Sequence, residues 1–527
     1  MLITTIPYWT GYARQGESWR FTGAVLGVED SNSYLANMVS GSSGAWLFRT
    51  PYTPYPQQAT LVFLPYLLLG KLAAQPGLHD QMVVLFHIFR ILAGLLAVWA
   101  TYDFIAYFIR SVRWRRFGTV LAVAGGGLGY LLPLTGHIEW MGSLPVEFYS
   151  PEAFGFLMFF SIPHLALARA FLLWGLRAFL IAGQKRGKSL VLAGLGTGVL
   201  WLLTALAQPL TGMLAGAIPV GYVAITGAWQ LARQVRHTAT DWRQWRAYWV
   251  AAVLAGVVAG PYAAYNALSF LYEPLLKAWS DQSTIPAAHP WLYVLAYGLI
   301  LPFSLLGAWR LLRKDGWMGI FLVSWAVVFS AAIYIPFSLQ RRLNEGVWVA
   351  LLCMACLAFE WAEENLKYRL AARWVANVVL VFSMPATALI LAGCLLIAVN
   401  PARPAFIPTA EARAFESLAG QVPTRSVVLC APTTGNPLPA WAPVRVVVGI
   451  GTLSANYTTL APQIEQFFQT GQPDASRQAF LNDLGVNYVF WGPDERALGS
   501  WDPHTVSYLR QVFSHEGYTL FEYLKAQ

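Results

Sequence analysis

The first residues that suggest chemistry are two neighbouring carboxylates, Glu29 and Asp30, which are followed by Ser31, Asn32 and Ser33. A carboxylate at a surface close to a membrane can act as a general base on the hydroxyl group of an acceptor. It can also hold a divalent cation, Mg²⁺ or Mn²⁺, that neutralises a phosphate leaving group, and Asp30 is then the candidate ligand. An acidic turn that caps a helix starting near Ser33 explains the same residues, so the pair alone does not define a site.

Three further acids occur in the stretch 136–154, which contains no Lys or Arg: Glu139, Glu147 and Glu152. They are candidates for a second acid or for a contribution to a metal site. Glu152 follows Pro151 and is expected to open a helix, where a negative charge near the N-terminus is favourable in any case.

Candidate anion-binding groups are the adjacent arginines Arg341 and Arg342, together with Arg90. Two neighbouring guanidinium groups suit bidentate contacts with phosphate oxygens. Contacts with lipid headgroups or with Glu345 explain the pair equally well. Arg90 falls within an apolar stretch, where an arginine snorkels, pairs with an acid or binds an anion.

Two other places offer polar groups for a cavity. His164 follows Pro163, which is expected to kink its helix, and a histidine there is either a satisfied core residue or a cavity group. The polar stretch 272–286 contributes Asp281 and Gln282.

The composition indicates that the elements carrying these groups are membrane-spanning helices. The chain has 527 residues, of which 57% are hydrophobic and 12% charged, and its mean hydropathy is +0.48. Soluble domains carry about 25% charged residues. About 20 apolar residues cross a bilayer as a helix. Ten such spans are predicted, at about 82–109, 118–134, 152–182, 190–207, 210–230, 247–270, 291–311, 317–337, 345–361 and 376–399.

The basic residues set the orientation of the predicted spans. Most of them fall in alternate loops, on what becomes the cytoplasmic side. This pattern explains the net charge of +9 without nucleic acid as a partner. It predicts a multi-pass cell-membrane protein in which 135–151, 271–290, 338–344 and everything after 400 are extracytoplasmic.

The predicted organisation has three parts: residues 1–81, a transmembrane domain at 82–399 and an α/β domain at 400–527. With ten spans, residues 10–80 must also be external, although Met1–Trp9 is too short to span. Either this N-terminal tail is translocated unaided, or the sequence begins within a first transmembrane helix, and we expect the second. The short apolar stretch 60–74 is expected to lie along the membrane interface.

The last 125 or so residues change character, with frequent prolines and short runs rich in β-branched residues. Strands are predicted at 425–431, 444–450, 487–492 and 518–524, and helices at 460–470, 474–484 and 505–515. Strands that alternate with helices favour a small α/β domain.

External acids, external arginines and the polar stretch 272–286 form a combination that a lipid-linked phosphosugar requires. Its polyprenyl tail lies in the bilayer, its phosphate lies at the headgroup level and its sugar projects outward. Arginines would stabilise the departing phosphate, and a carboxylate would deprotonate the acceptor.

At these residues the sequence resembles the GT-C superfamily of integral membrane glycosyltransferases, and within it bacterial members that depend on polyprenyl phosphate. The matching stretches are 29–53, 162–170, 207–212, 278–286, 336–346, 449–468 and 485–496. The resemblance implies a helical multi-pass fold with a small extracytoplasmic α/β domain, and a hexosyl transfer, with inversion presumed, to a glycan, lipid or protein of the cell envelope.

The resemblance also implies roles for single residues. Asp30 takes the place of the catalytic loop acid, with Glu29 as the fallback, and Arg341 and Arg342 bind the donor phosphate. Glu147 or Glu152 would supply a second acid. The loop lacks a separated pair of acids, which leaves the dependence on a metal open.

Two functions of other classes remain open on the sequence. A transporter or flippase of a lipid-linked substrate would need charged residues near the bilayer midplane and related halves with broken helices. A non-catalytic membrane subunit of the same fold would need none of the candidate acids.

Overall fold

The computed structural model describes residues 1–314 and 316–525. The described chain divides into two compact units. The first unit comprises Phe89–Ala267 and Thr284–Gly393 together with Met1, and the second comprises Leu2–Ile88, Leu268–Ser283 and Cys394–Gln527. Each unit is therefore assembled from segments that are distant in the sequence.

Long apolar helices dominate the chain up to residue 399. Seven helical stretches are long and apolar enough to cross a membrane, and they are Leu78–Phe108, Pro163–Ala182, Gly187–Ala207, Pro209–Val235, Trp242–Tyr272, Gln340–Glu364 and Arg369–Val399. An eighth is obtained if the bent pair Pro290–Tyr297 and Leu301–Lys314 counts as one span. The multi-pass helical architecture is confirmed, whereas the predicted number of ten spans is not reached in the described part of the chain.

Three predicted spans account for the difference. The span expected at 118–134 ends early, because the helix Val112–Ala124 stops at a run of three glycines. A Cβ on Gly127 would meet the carbonyl oxygen of Ala296 at 2.0 Å, so this backbone packs directly on a neighbouring helix. The span expected at 317–337 is the helix Gly316–Ala332, which has 17 residues.

The third of these spans, 291–311, is broken by a bend of 83° between Tyr297 and Leu301. Pro302 lies at the start of the second helix and has no N–H group to continue the hydrogen bonding of the first. The hydropathy of a sequence segment does not reveal such a bend.

A second proline break is the predicted one at Pro163. The helix Gly155–Ser161 ends at Ile162, and the helix Pro163–Ala182 begins immediately after it. Glu152 was predicted to open a helix, but it lies in a turn that precedes the helix Gly155–Ser161. The remaining helical segments of this part are Leu131–Leu134, Val146–Phe148, Gln340–Asn344, Val347–Glu364, Arg369–Ser383 and Pro385–Val399.

Small residues let the helices of the first unit pack closely, as is usual for helices in membranes. A Cβ on Gly307 would meet the carbonyl oxygen of Met354 at 1.7 Å, and a Cβ on Gly175 would meet the ring of Trp201 at 2.8 Å. The core between these contacts consists of buried Ala, Leu, Phe and Trp side chains.

The second unit contains a five-stranded sheet. Its strands are β3 (Val427–Leu429), β4 (Arg445–Val446), β5 (Tyr488–Trp491), β6 (Leu509–His515) and β7 (Tyr518–Tyr523), in the order β4-β3-β5-β7-β6. β3 pairs in parallel with β4 and β5, and β7 pairs antiparallel with β5 and β6. The predicted small α/β domain is confirmed.

Most of the predicted elements of this domain are found, with one exception. The helices Tyr457–Phe467 and Asp474–Asp483 lie where helices were predicted. The helix predicted at 505–515 is wrong, because Leu509–His515 forms a hairpin with β7. The turn uses Glu516 and Gly517, both with positive φ, and such a two-residue turn matches the twist of paired strands.

An N-terminal strand completes the β-structure of the second unit. β1 (Trp19–Phe21) pairs antiparallel with β2 (Phe406–Pro408). The other helices of this unit are Leu2–Arg14, Val28–Ser42, Leu64–Gly70, Pro274–Gln282, Thr409–Gln421, Pro432–Gly435, Leu438–Ala440, Pro493–Leu498 and Pro503–Thr505.

Candidate functional site

The two neighbouring acids lie at the start of a helix in the second unit. The helix Val28–Ser42 begins after Gly27, whose φ of 58° turns the chain into it. It therefore starts five residues before the predicted Ser33. Glu29 and Asp30 occupy its first turn and are exposed, where the helix dipole favours their negative charge.

Two buried asparagines hold this first turn in place. Asn32 Nδ2 donates a hydrogen bond to Asn436 Oδ1 at 2.7 Å. Asn436 Nδ2 donates in turn to the carbonyl oxygen of Glu29 at 3.4 Å. The backbone that carries Asp30 is thus fixed by a residue about 400 positions away in the chain. Sequence reasoning missed Asn436, because a single asparagine in a proline-rich stretch gives no local signal.

Tyr52 belongs to the same cluster. It is fully buried, and its hydroxyl group donates to the main-chain oxygen of Asn436 at 3.1 Å. Burial and the nearby carboxylate of Asp30 both raise the pKa of Tyr52 far above its usual value. The phenol therefore stays neutral, and Asp30 has a neutral side chain rather than a second charge as its neighbour on this side.

Two of the predicted cavity residues lie at the end of the helix Pro274–Gln282, in the same unit. Gln282 Nε2 donates to the carbonyl oxygens of Thr452 at 3.1 Å and Ser454 at 3.0 Å. Asp281 is exposed. Gln282 therefore links two segments of the second unit, while Asp281 remains open to solvent.

The arginine pair lies in the first unit, in the 3₁₀ helix Gln340–Asn344. Both guanidinium groups flank the buried carboxylate of Glu152, with Arg341 Nε 3.5 Å from Oε2 and Arg342 Nε 3.7 Å from Oε1. These distances are ion-pair separations, and in the described structure the two buried Nε atoms make no hydrogen bond. The predicted second acid and the predicted phosphate-binding arginines are thus one cluster.

A groove of about 300 Å³ adjoins this cluster. Arg341 reaches it and also lies over the ring of Tyr149, 4.8 Å from the ring centroid. Its lining residues are Met141, Gly142, Ser143, Tyr149, Thr284, Ile285, Pro286, Ala287, Ala288, His289 and Arg341. The groove gives Arg341 a space with both polar and apolar walls that a small ligand can enter.

His164 and Arg90 are both buried in the first unit. His164 is the second residue of the helix Pro163–Ala182, so it lies beside the proline break rather than in mid-span. Arg90 lies inside the long helix Leu78–Phe108 and is fully buried.

The remaining two acids have different environments. Glu147 is buried and accepts a hydrogen bond from the main-chain N–H of Gly129 at 2.6 Å, so it holds the glycine-rich loop. Burial raises the pKa of Glu147. Glu139 is exposed in the loop after the helix Leu131–Leu134.

A buried ion pair that sequence reasoning missed supports the arginine cluster. Arg169 Nε donates to Glu345 Oε1, and both side chains are buried. Arg169 Nη2 also donates to the carbonyl oxygens of Pro151 at 3.1 Å and Glu152 at 3.0 Å. One guanidinium group therefore ties the turn that carries Glu152 to the segment that follows Arg342. The basic residue inside an apolar helix was the available sequence signal.

Replacing Arg169 with Gln is expected to destabilise the protein by about 3–5 kcal/mol, because it leaves Glu345 charged and buried without its cation. Thermal unfolding of the purified chain in detergent measures this loss. The double variant Arg169→Met, Glu345→Leu removes both charges and is expected to recover most of the stability. An unchanged unfolding temperature in the single variant would contradict the assigned structural role.

A metal site needs several donor side chains that converge on one point. In the described ranges, no group of three or more His, Cys, Asp or Glu side chains is arranged to hold a metal ion. Asp30 has Glu29 as a neighbouring carboxylate in the same helical turn. A divalent cation at Asp30 therefore remains a prediction.

Comparisons with known proteins give a fold but no sequence relative. No family model and no curated protein matches the sequence. The oligosaccharyltransferase of Archaeoglobus fulgidus with a tethered acceptor peptide matches with a TM-score of 0.54 and 13% identity, over 93% of this chain and 68% of that chain.

Two further structures are similar to the same extent. The oligosaccharyltransferase AglB from Archaeoglobus fulgidus, in complex with an inhibitory peptide and a dolichol-phosphate, has a TM-score of 0.54 and 14% identity, over 100% of this chain and 74% of that chain. The arabinofuranosyltransferase AftD from Mycobacteria also has a TM-score of 0.54 and 14% identity, over 100% of this chain but 40% of that chain. By its architecture, this chain is a multi-pass membrane protein with the GT-C fold that these glycosyltransferases share.

Proposed function

We propose that the chain is a membrane glycosyltransferase that moves a sugar from a polyprenyl-phosphate donor to an extracytoplasmic acceptor of the cell envelope. The observation that carries the proposal is the GT-C fold over the whole described chain. The archaeal neighbour in complex with dolichol-phosphate supports the class of donor. The basic loops of the sequence support the extracytoplasmic side.

The reaction is a displacement at the anomeric carbon of the donor sugar. The bond from this carbon to the phosphate oxygen breaks, and a bond to the acceptor oxygen forms. Asp30 takes the proton of the acceptor hydroxyl as this bond forms. An exposed carboxylate on a backbone held by Asn436 suits this role, since a base must reach its proton in a fixed geometry. A single displacement of this kind inverts the configuration.

The leaving phosphate gains negative charge as the bond breaks. Arg341 and Arg342 would stabilise this charge through bidentate hydrogen bonds. Their Nε atoms are buried and 3.5–3.7 Å from Glu152, so the cluster is already organised around one anionic group. The role of Glu152 is then to hold both guanidinium groups in position.

Purified protein in liposomes with a radiolabelled polyprenyl-phosphate sugar tests the proposal. We expect the label to pass from the lipid to a cell-envelope fraction added outside, and liposomes without protein serve as the control. Movement of the labelled lipid across the bilayer without transfer of its sugar would favour a flippase instead. Absence of both activities would favour a non-catalytic subunit.

A further inference from the structure

The second unit carries three arginines, Arg49, Arg425 and Arg445, on segments that hydrogen bonds bring together. Arg445 Nε donates to the main-chain oxygen of Arg425 at 3.2 Å, and its Nη1 donates to the carbonyl oxygen of Pro54 at 3.1 Å. Arg445 therefore bridges the loop after Arg49 and the turn that contains Arg425. Partial desolvation of Arg425, which remains exposed to solvent, and the neighbouring guanidinium group of Arg49 lower the pKa of Arg425.

The backbone keeps these segments together. The N–H group of Val446 donates to the carbonyl oxygen of Pro51 at 2.8 Å, so the segment that follows Arg49 lies along the edge of strand β4. Main-chain hydrogen bonds therefore hold together the segments that carry the three arginines.

Among residues 1–314 and 316–525, no carboxylate forms an ion pair with Arg49, Arg425 or Arg445. The arginines elsewhere on this unit show the contrast, because Arg413 pairs with Glu516 and Arg510 pairs with Glu522. Neighbouring guanidinium groups repel one another, and an anion between them removes this repulsion.

The turn that holds Arg425 is unusual for an arginine. The N–H group of Ser426 donates to the carbonyl oxygen of Pro423 at 3.2 Å, which closes a four-residue turn, and Arg425 has a φ of 69° at its third position. Glycine or asparagine is the usual residue there. Backbone strain of this kind often occurs at sites that bind a ligand.

We infer that Arg49, Arg425 and Arg445 form a phosphate-binding site, separate from Arg341 and Arg342, and that Arg425 is held in a strained turn to complete it. Guanidinium groups present paired N–H donors that match phosphate oxygens. In the described structure, Arg445 Nη2 makes no hydrogen bond, and Arg49 and Arg425 are exposed. The inference does not depend on the proposed transfer reaction.

The phosphate can come from two sources, a lipid headgroup or free phosphate. Features next to Arg49 are compatible with the headgroup region, since Trp46 is 65% exposed and the ammonium group of Lys71 lies 4.0 Å from the centroid of its ring. Tryptophan and lysine are both common at membrane interfaces.

Ligand-dependent thermal stability of the full chain in detergent tests the site. A ligand that binds the native state raises the unfolding temperature as its concentration increases. We expect such a rise with inorganic phosphate or with a short-chain phosphatidylglycerol, and none with chloride at matched ionic strength. A larger rise with the lipid identifies a headgroup as the source, and an equal or larger rise with inorganic phosphate identifies free phosphate.

The variant Arg425→Gly separates binding from folding. It removes one guanidinium group and supplies the residue that the turn prefers, so the unfolding temperature without ligand should stay the same or rise. Wild-type and variant residues at position 425 are compared in chains that carry Arg341→Gln, which removes the other proposed phosphate contact, and the ligand-dependent increase should be lost only with Arg425→Gly. Arg510→Ala is the matched control and should keep the increase. The inference is overturned if the wild-type chain shows no phosphate-dependent rise, if Arg425→Gly keeps it, or if Arg510→Ala loses it equally.

Discussion

Replacing Asp30 with Asn is expected to lower the rate of sugar transfer by about 10²–10⁴-fold, because the amide cannot accept the proton of the acceptor hydroxyl. The substitution keeps the size of the side chain and the hydrogen bonds of the turn that Asn32 and Asn436 hold. The loss should therefore appear in kcat, while the unfolding temperature and the KM for the donor stay close to those of the wild-type protein. Transfer from a labelled polyprenyl-phosphate sugar is the measurement.

Two further variants complete this experiment, one as a control and one as a test of the neighbouring acid. Glu17→Gln removes an exposed acid from the same N-terminal segment and should leave the activity unchanged. Glu29→Gln tests the neighbouring acid, which is exposed in the same helical turn. Full activity of Asp30→Asn together with an inactive Glu29→Gln would move the role of the base to Glu29, and full activity of both would exclude a catalytic role for this turn.

Local patterns in the sequence predicted much of the fold for a physical reason. Apolar runs have to be helices in a bilayer, because no water is present there to satisfy the backbone. The break at Pro163 was predicted because a proline removes a hydrogen bond at its own position. The strands of the C-terminal sheet were predicted from runs of β-branched residues, which favour a pleated surface.

The errors arose where the outcome depends on distant partners. The stretch 118–134 is largely apolar, but its Gly127 packs against Ala296 instead of continuing a helix. The stretch 505–515 has helical spacing, but the turn at Glu516 and Gly517 pairs it with β7. In both places a tertiary contact overrides the local preference.

In the candidate site too, some residues could be predicted from the sequence and others could not. Acids and arginines stood out by their type and by their place in an apolar sequence, and Arg341, Arg342 and Glu152 do form one cluster. The residues that support them did not stand out. Asn436 and Arg169 act through contacts with residues that are 404 and 176 positions away, and no spacing rule connects such pairs.

Arg341→Gln is expected to lower kcat/KM for the donor by about 10²–10³-fold, the effect of removing one donor from a site that stabilises a developing anion. Glu152 keeps Arg342 as its partner at 3.7 Å, so the variant should still fold.

The conservative variant Arg341→Lys gives the more informative result. A lysine restores the positive charge but not the planar, bidentate geometry, so we expect partial recovery of activity and a stronger dependence on salt. Arg313→Gln is the matched control in the same unit, since Arg313 is exposed and stacks on Trp309 at 4.1 Å from the ring centroid. Initial rates over a range of donor concentrations distinguish the variants. If Arg341→Gln has the same kcat/KM as the wild-type protein, the donor phosphate does not bind at this cluster.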